Sequence, residues 1–317
     1  MTPFQDRLIR MSDVRPFHSS LLNKISGNGS RWLVKKLASS LLPRYFHKHP
    51  GIVCYRKSQQ EGRVSEAIVS LTSFPQRIGV VWLVVECLLR QTRVPSKIVV
   101  WLSKVQFPSK ETLPVVLRSY PEDVVEIRLV DGDIRSHKKY WYVVDEYKDK
   151  PIILVDDDIV YDSRLIEDLE HHSSQEKKVI ACCWGSRMQW NADGAVKDYS
   201  QWRAEKPALN EVVDDFCFGS GGGTYFPVGS LDGARQPIED IMKVCPMADD
   251  LWLNAVVRRK RYSTCLIRHF RSVPEWDIAD NKTLRSVNND EHQNDKQLQQ
   301  VREYFGERFG EDPFVKY

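Results

Sequence analysis

Strand-like and helix-like segments alternate from residue 67 to residue 158, and this order limits the possible folds more than any other feature. Four short apolar segments predict strands: AIVSLTS (67–73), SKIVVWLS (96–103), VVEIRLVD (124–131) and PIILVDDD (151–158). The segments between them predict helices: IGVVWLVVECLLRQ (78–91), KETLPVVLRSY (110–120), which Pro114 limits, and RSHKKYWYVVDEYK (135–148). Strands that alternate with helices pair in parallel through right-handed crossovers. We therefore expect an α/β fold with a Rossmann-like, mostly parallel central sheet flanked by helices.

The pattern is less regular after residue 158. SRLIEDLEHH (163–172) and ADDLWLNAVVRRK (248–260) predict helices, and KVIACCWG (178–185) predicts a buried strand. A loop-rich stretch over 186–231 contains the run GSGGG. The expected organisation is a basic, partly helical N-terminal extension (1–63), one domain (64–300) with halves at 64–160 and 161–300, and a C-terminal tail (301–317).

The net charge of +3 conceals an uneven distribution of charge. Residues 14–60 contain nine Lys or Arg and no Asp or Glu, whereas residues 61–317 carry a net charge of −6. Leu33, Leu37 and Leu41 fall on one stripe of a predicted amphipathic helix in the basic segment. This helix could pack on the main domain or contact an anionic membrane or a partner. The acidic remainder of the chain argues against nucleic acid as a partner.

The cysteines and the hydropathy of the chain indicate the cellular compartment in which the protein works. The seven cysteines have no zinc-site spacing and are expected to be reduced thiols. No secretory signal and no apolar run of the ~18–20 residues that span a bilayer is visible. We expect a cytoplasmic protein. Peripheral attachment to the inner face of the cell membrane through residues 14–60 is a second possibility.

Three consecutive aspartates, Asp156, Asp157 and Asp158, follow the fourth predicted strand. In sheets of this type, ligands bind beyond the carboxyl ends of the strands. Adjacent like charges repel one another, and a divalent cation would offset them, because Mg²⁺ and Mn²⁺ prefer oxygen ligands and bridge carboxylates to substrate phosphates. A polar turn between a strand and a helix is the other interpretation. We expect Asp156 and Asp158 near a divalent metal, Mn²⁺ or Mg²⁺.

The segment IILVDDDIVY, after three β–α units, resembles the DxD motif of GT-A-fold nucleotide-sugar glycosyltransferases. The resemblance is greatest to the bacterial family-2-like enzymes that build capsule, O-antigen and exopolysaccharide. Further segments match in the expected order: VSLTSFPQRI, SHKKYWYVVDEY, ADDLWLNA and NDKQL (294–298). The resemblance covers about residues 64–298, which excludes the basic N-terminal segment. It implies a GT-A fold with a loop-rich acceptor-side half.

The resemblance also implies roles on the donor side. The loop after the first strand would hold the nucleotide base and pyrophosphate, Asp131 would lie near the base or ribose, and Lys138 near the phosphates. The three aspartates would contact the ribose and the metal–diphosphate, with UDP as the default nucleotide; Asp157 could instead anchor the turn. Arg77 could alternatively be a surface residue, and one of the two lysines at 138 and 139 is expected to face solvent. The residues of the first-strand loop are Thr72, Ser73, Pro75 and Arg77.

The carboxylates Asp249 and Asp250 suit general base catalysis, because transfer of a sugar to a hydroxyl requires removal of a proton. By resemblance Asp250 is the base, and Asp249 orients it or contacts the acceptor. Acids in the first turn of a helix also occur simply because they complement the helix dipole. A base on the acceptor side favours direct displacement with inversion at the anomeric carbon. The acceptor would be a hydroxyl of a glycan or lipid-linked saccharide in surface polysaccharide synthesis.

Five more residues are weaker candidates. Gly221, Gly222 and Gly223 could let the backbone approach an acceptor sugar, form a lid, or belong to a plain flexible loop. Trp184 could stack on a sugar or pack in the core. His269 follows the last predicted strand, YSTCLI (262–267), and could be an additional metal ligand or a structural histidine.

Two other functions fit parts of the sequence. DDDIV (156–160) also satisfies the DxDx(T/V) pattern of haloacid-dehalogenase-like phosphatases, although that motif normally ends the first strand of its domain. A non-catalytic scaffold of the same fold that binds a glycan or partner is the second alternative.

Overall fold

The structure is a computed structural model that describes residues 40–202, 206–267 and 293–316. Its strands are β1 (Ile68–Thr72), β2 (Lys97–Ser103), β3 (Val125–Val130), β4 (Ile152–Val155), β5 (Val179–Cys182), β6 (Gly185–Arg187), β7 (Val212–Val213), β8 (Phe216–Phe218), β9 (Gly222–Phe226) and β10 (Ser263–Leu266). Within the described residues, eight of these form one sheet in the order β3-β2-β1-β4-β9-β5-β10-β7, and β6 pairs with β8 in a separate ribbon.

Most strands of the large sheet run in the same direction. The first four pair in parallel, and β5 pairs in parallel with β10. Strand β9 is antiparallel to both β4 and β5, and β7 is antiparallel to β10. The predicted α/β class with a mostly parallel sheet is confirmed. The carboxyl ends of β1 and β4 lie side by side, so the residues that follow these two strands meet at one edge of the sheet.

The glycine run contains the start of a central strand. Gly222 lies opposite Val155 of β4, and the residues after it pair with both β4 and β5. Gly223 has a φ of 102°, and a Cβ there would lie 2.9 Å from the side chain of Leu165, so this position requires glycine. The interpretations of Gly222 and Gly223 as a lid or a flexible loop are therefore wrong, because strand pairing on both sides overrides the loop-like composition.

The helices cover both faces of the sheet. A 3₁₀ turn (Arg135–His137) and two short α-helical segments replace the predicted helix over 135–148. Within 110–120, a 3₁₀ turn (Lys110–Thr112) precedes Pro114 and a short α-helix follows it. Every residue of the third helix is buried. The helices are α1 (40–48), α2 (Gly51–Gln60), α3 (Val81–Leu89), α4 (Val115–Arg118), α5 (Lys138–Trp141), α6 (Val143–Glu146), α7 (Leu165–His172), α8 (Ile238–Val244), α9 (Asp249–Arg259) and α10 (Gln293–Phe309).

The described part of the N-terminal extension packs on the main domain. Leu42 and Phe46 of α1 are fully buried, and the guanidinium group of Arg90 lies 4.3 Å from the centre of the Phe46 ring. Leu41 and Tyr45 are partly exposed on the same helix. Packing is thus confirmed for residues 40–60, whereas the rest of the predicted basic helix lies outside the described residues.

The last helix belongs to the core. Val301 and Phe305 of α10 are buried, and Phe305 packs edge-on against Trp252 of α9 at 5.2 Å between ring centres. This helix runs across the predicted boundary between residues 300 and 301. The domain boundaries themselves stay predictions. Among the described residues, no helix combines the length and apolarity that crossing a membrane requires.

Candidate active site at the carboxyl edge of the sheet

The three aspartates after β4 lie in two different environments. The side chain of Asp156 is 43% exposed, whereas Asp157 and Asp158 are buried. The Tyr161 hydroxyl accepts a hydrogen bond from the Asp156 N–H (2.8 Å) and donates one to the Gly221 carbonyl (2.5 Å), which fixes the start of the turn. Of the three carboxylates, that of Asp156 is therefore the one most open to a ligand.

Arg77 pairs with both of the buried carboxylates. Arg77 Nη1 lies 3.0 Å from Asp157 Oδ1 and 2.7 Å from Asp158 Oδ2, and Ser73 Oγ donates to Asp157 Oδ2 at 2.5 Å. Burial raises the pKa of Asp157, although Arg77 favours its charged form. Burial would lower the pKa of Arg77, but the acids outweigh it and raise that pKa. The loop after β1 thus contributes Ser73 and Arg77 to this cluster, and Arg77 is not merely a surface residue.

Lys139 joins the aspartates to the acid pair of α9. Its ammonium nitrogen lies 3.1 Å from Asp156 Oδ1 and 2.9 Å from Asp249 Oδ2. Burial would lower the pKa of Lys139, but Asp156, Asp249 and Asp250 outweigh it and raise that pKa. Ser70 Oγ donates to the Lys139 carbonyl, which anchors α5 on the sheet. A lysine whose charged form is favoured therefore connects the end of β4 with the start of α9.

The acid pair at the start of α9 is bound by one serine. Ser220 Oγ donates to Asp249 Oδ2 at 2.9 Å, and the Ser220 N–H donates to Asp250 Oδ1 at 2.7 Å. Burial would raise the pKa of Asp249, but Lys139 outweighs it and lowers that pKa. Burial and the neighbouring Asp249 raise the pKa of Asp250 to about 6. The pKa shifts of the two carboxyl groups therefore have opposite signs, and the raised pKa of Asp250 suits a base that accepts a proton near neutral pH.

Gly221 lies directly against the carboxylate of Asp156. A Cβ at Gly221 would be 1.8 Å from Asp156 Oδ1, so any side chain there would require the Asp156 carboxylate to move. The Gly221 carbonyl also accepts from the Asp156 N–H at 2.8 Å. Gly221 is thus part of the candidate site, because the absence of a side chain there lets its backbone lie directly against the Asp156 carboxylate.

Trp184 lies near Asp250 of the acid pair. A Cβ at Gly219 would lie 2.8 Å from Trp184 Cδ1 and 3.7 Å from Asp250 Oδ2, so both side chains border the same glycine. The ammonium nitrogen of Lys206 lies 3.7 Å from the centre of the Trp184 ring. Trp184 is half-buried, and its role on the acceptor side stays a prediction.

Lys138 and Asp131 belong to a neighbouring cluster at the ends of β2 and β3. Lys138 is buried and forms an ion pair with Asp133, and burial lowers its pKa. Asp131 is 90% exposed and pairs with Lys104 at 2.9 Å. The expectation that one of Lys138 and Lys139 faces solvent is wrong, since both are buried. Lys139, not Lys138, is the lysine that contacts Asp156.

The other predicted site residues are less informative. Thr72 Oγ1 donates to the Trp101 carbonyl at 2.8 Å and ties the end of β1 to β2. Pro75 is exposed in the loop that carries Arg77. His269 lies outside the described residues, so its role as a metal ligand stays a prediction.

The fit of a divalent metal depends on Asp156. Among the described residues, no group of three or more His, Cys, Asp or Glu is arranged to hold a metal ion. Asp157 and Asp158 bind Arg77, whereas Asp156 is open and carries one contact to Lys139. Mg²⁺ is commonly bound by one or two carboxylates together with substrate phosphates. Asp156 fits that mode, in which the substrate supplies further oxygen ligands.

No protein-family model matches the chain, and no curated protein is similar to it at a significant level. Among solved structures, the chain is similar to the mannosyltransferase PcManGT from Pyrobaculum calidifontis, which was solved in complex with GDP-Man and Mn²⁺. The similarity covers 89% of this chain and 77% of that chain, with 13% sequence identity and a TM-score of 0.46.

Three contributors to the site were not predicted. Lys139 and Ser220 lie within segments already singled out, next to Lys138 and Gly221 respectively. Tyr161, five residues after Asp156, gave no signal beyond its place after the aspartates. Their contacts link segments far apart in sequence, which local patterns cannot reveal.

Proposed function

We propose that this chain is a nucleotide-sugar glycosyltransferase. It would transfer a sugar from a nucleoside diphosphate, by default UDP, to a hydroxyl of a glycan or lipid-linked acceptor. The observation that carries the proposal is the contact of Lys139 with both Asp156 and Asp249. Through this contact, one lysine links the exposed carboxylate of Asp156 at the sheet edge to Asp249. The next residue, Asp250, has a pKa raised to about 6, which suits a general base.

The charge of the cluster supports a divalent metal that arrives with the donor. Among the described residues of this cluster, five carboxylates (156–158, 249 and 250) face two cations, Arg77 and Lys139. A diphosphate brought to this excess of negative charge would be repelled unless a divalent cation came with it. We propose that Asp156 would hold Mn²⁺ or Mg²⁺. When bound, the metal would offset negative charge on the departing diphosphate.

The proposed reaction is a single displacement. Asp250 accepts the proton of the acceptor hydroxyl as its oxygen forms a bond to the anomeric carbon. The bond from that carbon to the phosphate oxygen breaks, and its electron pair leaves with the nucleoside diphosphate. Ser220 orients both acids, and Lys139 keeps Asp249 ionised. Attack from the side opposite the leaving group inverts the anomeric carbon.

The acceptor is the finer part of the proposal. The motif resemblance supports surface polysaccharide synthesis, which uses lipid-linked acceptors at the membrane. The exposed Leu41 and Tyr45, with the basic residues of 14–60, support peripheral contact with anionic lipid. Sedimentation with anionic and neutral vesicles tests this contact, and equal binding to both would exclude the electrostatic attachment.

The donor site is tested by thermal-shift titration with UDP or GDP, each with Mn²⁺, Mg²⁺ or EDTA. A ligand that binds the folded state alone raises the Tm as its concentration exceeds the Kd. We expect metal-dependent stabilisation by one nucleotide, which Asp156→Asn abolishes and Asp123→Asn, at an exposed acid, retains. The Asp158→Ala variant tests the second predicted metal ligand in the same way. No shift with any nucleotide would reject the proposal, and phosphate release from a phosphomonoester would then favour the phosphatase.

A further inference from the structure

The segment before α9 is held by a glutamine from the last helix of the chain. Gln297 Oε1 accepts hydrogen bonds from two consecutive backbone N–H groups, those of Met247 (2.7 Å) and Ala248 (3.2 Å). Gln297 is 2% exposed, and its Nε2 donates to the Gln293 carbonyl at 3.2 Å, which fixes the orientation of the amide. Asp249 and Asp250 follow Ala248 directly.

The start of helix α9 has no side-chain cap of its own, and Gln297 binds the backbone immediately before it. The Ala248 carbonyl accepts from the Leu251 N–H at 2.9 Å, so the position of Ala248 determines where the first turn begins. Side chains in a first turn move with the backbone that precedes it. A shift of Met247 and Ala248 would therefore move both acids of the candidate site.

The same segment is also held by residues near Lys139. His137 Nε2 donates to the Cys245 carbonyl at 2.6 Å, and Lys139 binds Asp249 at 2.9 Å. Those contacts come from the donor half of the chain, whereas Gln297 comes from its C-terminal helix. Gln297 lies in the segment NDKQL, to which the proposed reaction assigns no role.

We propose that Gln297 is a positioning residue for the general base, an inference that rests on the proposed glycosyltransferase function. Its amide oxygen fixes the two residues before α9 and so sets the position of Asp250 beside the acceptor hydroxyl. It does not touch the donor, because its contacts lie on the residues before α9 and within its own helix. Its loss should slow transfer and leave nucleotide binding intact.

The experiment compares Gln297→Met, which keeps the side-chain length and removes the acceptor oxygen, with Gln297→Glu, which keeps an acceptor oxygen. Gln299→Met is the matched control, because Gln299 is exposed on the same helix and binds Glu303. Each protein is measured for amide hydrogen exchange at Met247 and Ala248, for the nucleotide–metal thermal shift, and for kcat and KM of nucleoside diphosphate release from the donor. Water or an added saccharide serves as the acceptor.

We expect Gln297→Met to lose protection of the Met247 and Ala248 amides and to lower kcat by roughly 10–100-fold, because misplacement by about 1 Å can cost ~10²-fold in rate. The KM for the donor and the thermal shift should match wild type. Gln297→Glu keeps an oxygen that accepts from Met247 and Ala248 but loses the Nε2 donor, so it should recover amide protection and kcat in part relative to Gln297→Met. Gln299→Met should behave as wild type in all three measurements.

Two results would overturn the inference alone. Unchanged exchange at Met247 and Ala248 in Gln297→Met would show that the hydrogen bonds do not fix the segment. Lost protection with unchanged kcat would show that the segment does not position the base. A wild-type protein without a nucleotide-dependent shift and without donor turnover would overturn the proposed function, and this inference with it, so the two failures are distinguishable.

Discussion

Gly221 and the carboxylate of Asp156 are so close that a methyl group on Gly221 would overlap the carboxylate, at 1.8 Å from Oδ1. A separation of this size requires one of the two groups to move. Asp156 is the group that moves, because Gly221 adjoins β9 and its carbonyl is held by Tyr161.

Gly221→Ala should therefore abolish the metal-dependent thermal shift with nucleotide and leave a folded protein. Gly306→Ala is the control, because a Cβ there meets open space within a helix and should stabilise the protein by about 0.5–1 kcal/mol. Thermal unfolding with and without nucleotide and Mn²⁺ measures both effects. A full nucleotide response in Gly221→Ala would show that Asp156 does not bind the donor.

Arg77→Met should destabilise the protein, because it leaves Asp157 and Asp158 buried without their cation. Breaking a buried pair typically costs ~3–5 kcal/mol in the free energy of unfolding. Arg56→Met is the matched control: Arg56 pairs with Asp123 on the surface at 2.7 Å, and such pairs contribute about 0–1 kcal/mol. Denaturant unfolding at pH 7 compares the two variants.

The pH dependence of the Arg77→Met defect has a definite sign. The folded-state pKa of Asp157 already lies above its usual value because of burial, and removing Arg77 raises it further. A raised carboxyl pKa means that ionisation disfavours the folded state, so the deficit should grow as the pH rises and shrink towards pH 5. A deficit that grows on acidification would contradict this assignment of the charges.

Transfer should lose activity below about pH 6, because burial and Asp249 raise the pKa of Asp250 to about 6 and the protonated acid cannot act as a base. The logarithm of kcat/KM should fall by about one unit per pH unit on the acid side. Asp250→Asn should lower kcat by ~10²–10⁴-fold, remove this limb and retain the nucleotide shift. Glu239→Gln, an exposed acid in the first turn of α8, should keep both the rate and the profile.

Metal binding should require the nucleotide. Asp156 is the open carboxylate of its turn, and we expect the diphosphate and water to supply the remaining oxygen ligands. Calorimetric titration with Mn²⁺ should show weak binding to the protein alone and much tighter binding in the presence of UDP or GDP. Equally tight binding of Mn²⁺ without nucleotide, retained in Asp156→Asn, would locate the metal elsewhere.

Local sequence patterns were sufficient for the first half of the sheet. Strands β1, β2 and β4 are runs of apolar residues bounded by polar ones, and their alternation with helices predicted the parallel pairing that the structure shows. The pattern failed at β9, because Gly222 and Gly223 have no side chains whose alternation could mark a strand. Pairing with β4 and β5 provides the stabilisation that the local sequence lacks.

The site could be predicted in its residue types but not in its pairings. The aspartates of 156–158 and the acids of α9 were identified as candidates, yet the distribution of cations among them was not. Lys139 lies 17 residues from Asp156 and bonds to it at 3.1 Å, while the adjacent Lys138 faces Asp133. Which of two neighbouring lysines points to the site depends on how α5 sits on β1, and a single sequence does not specify that.

The insertion of β9 between β4 and β5 has a consequence for synthesis on the ribosome. A nascent chain that has emerged only to residue 160 contains β1–β4, but β4 then has no partner on its outer side until residues 222–226 follow. An unpaired apolar strand edge is a template for association with other chains. Fragments that end near residue 160 should therefore aggregate. Translation must continue through Phe226 before β9 can pair with the free edge of β4.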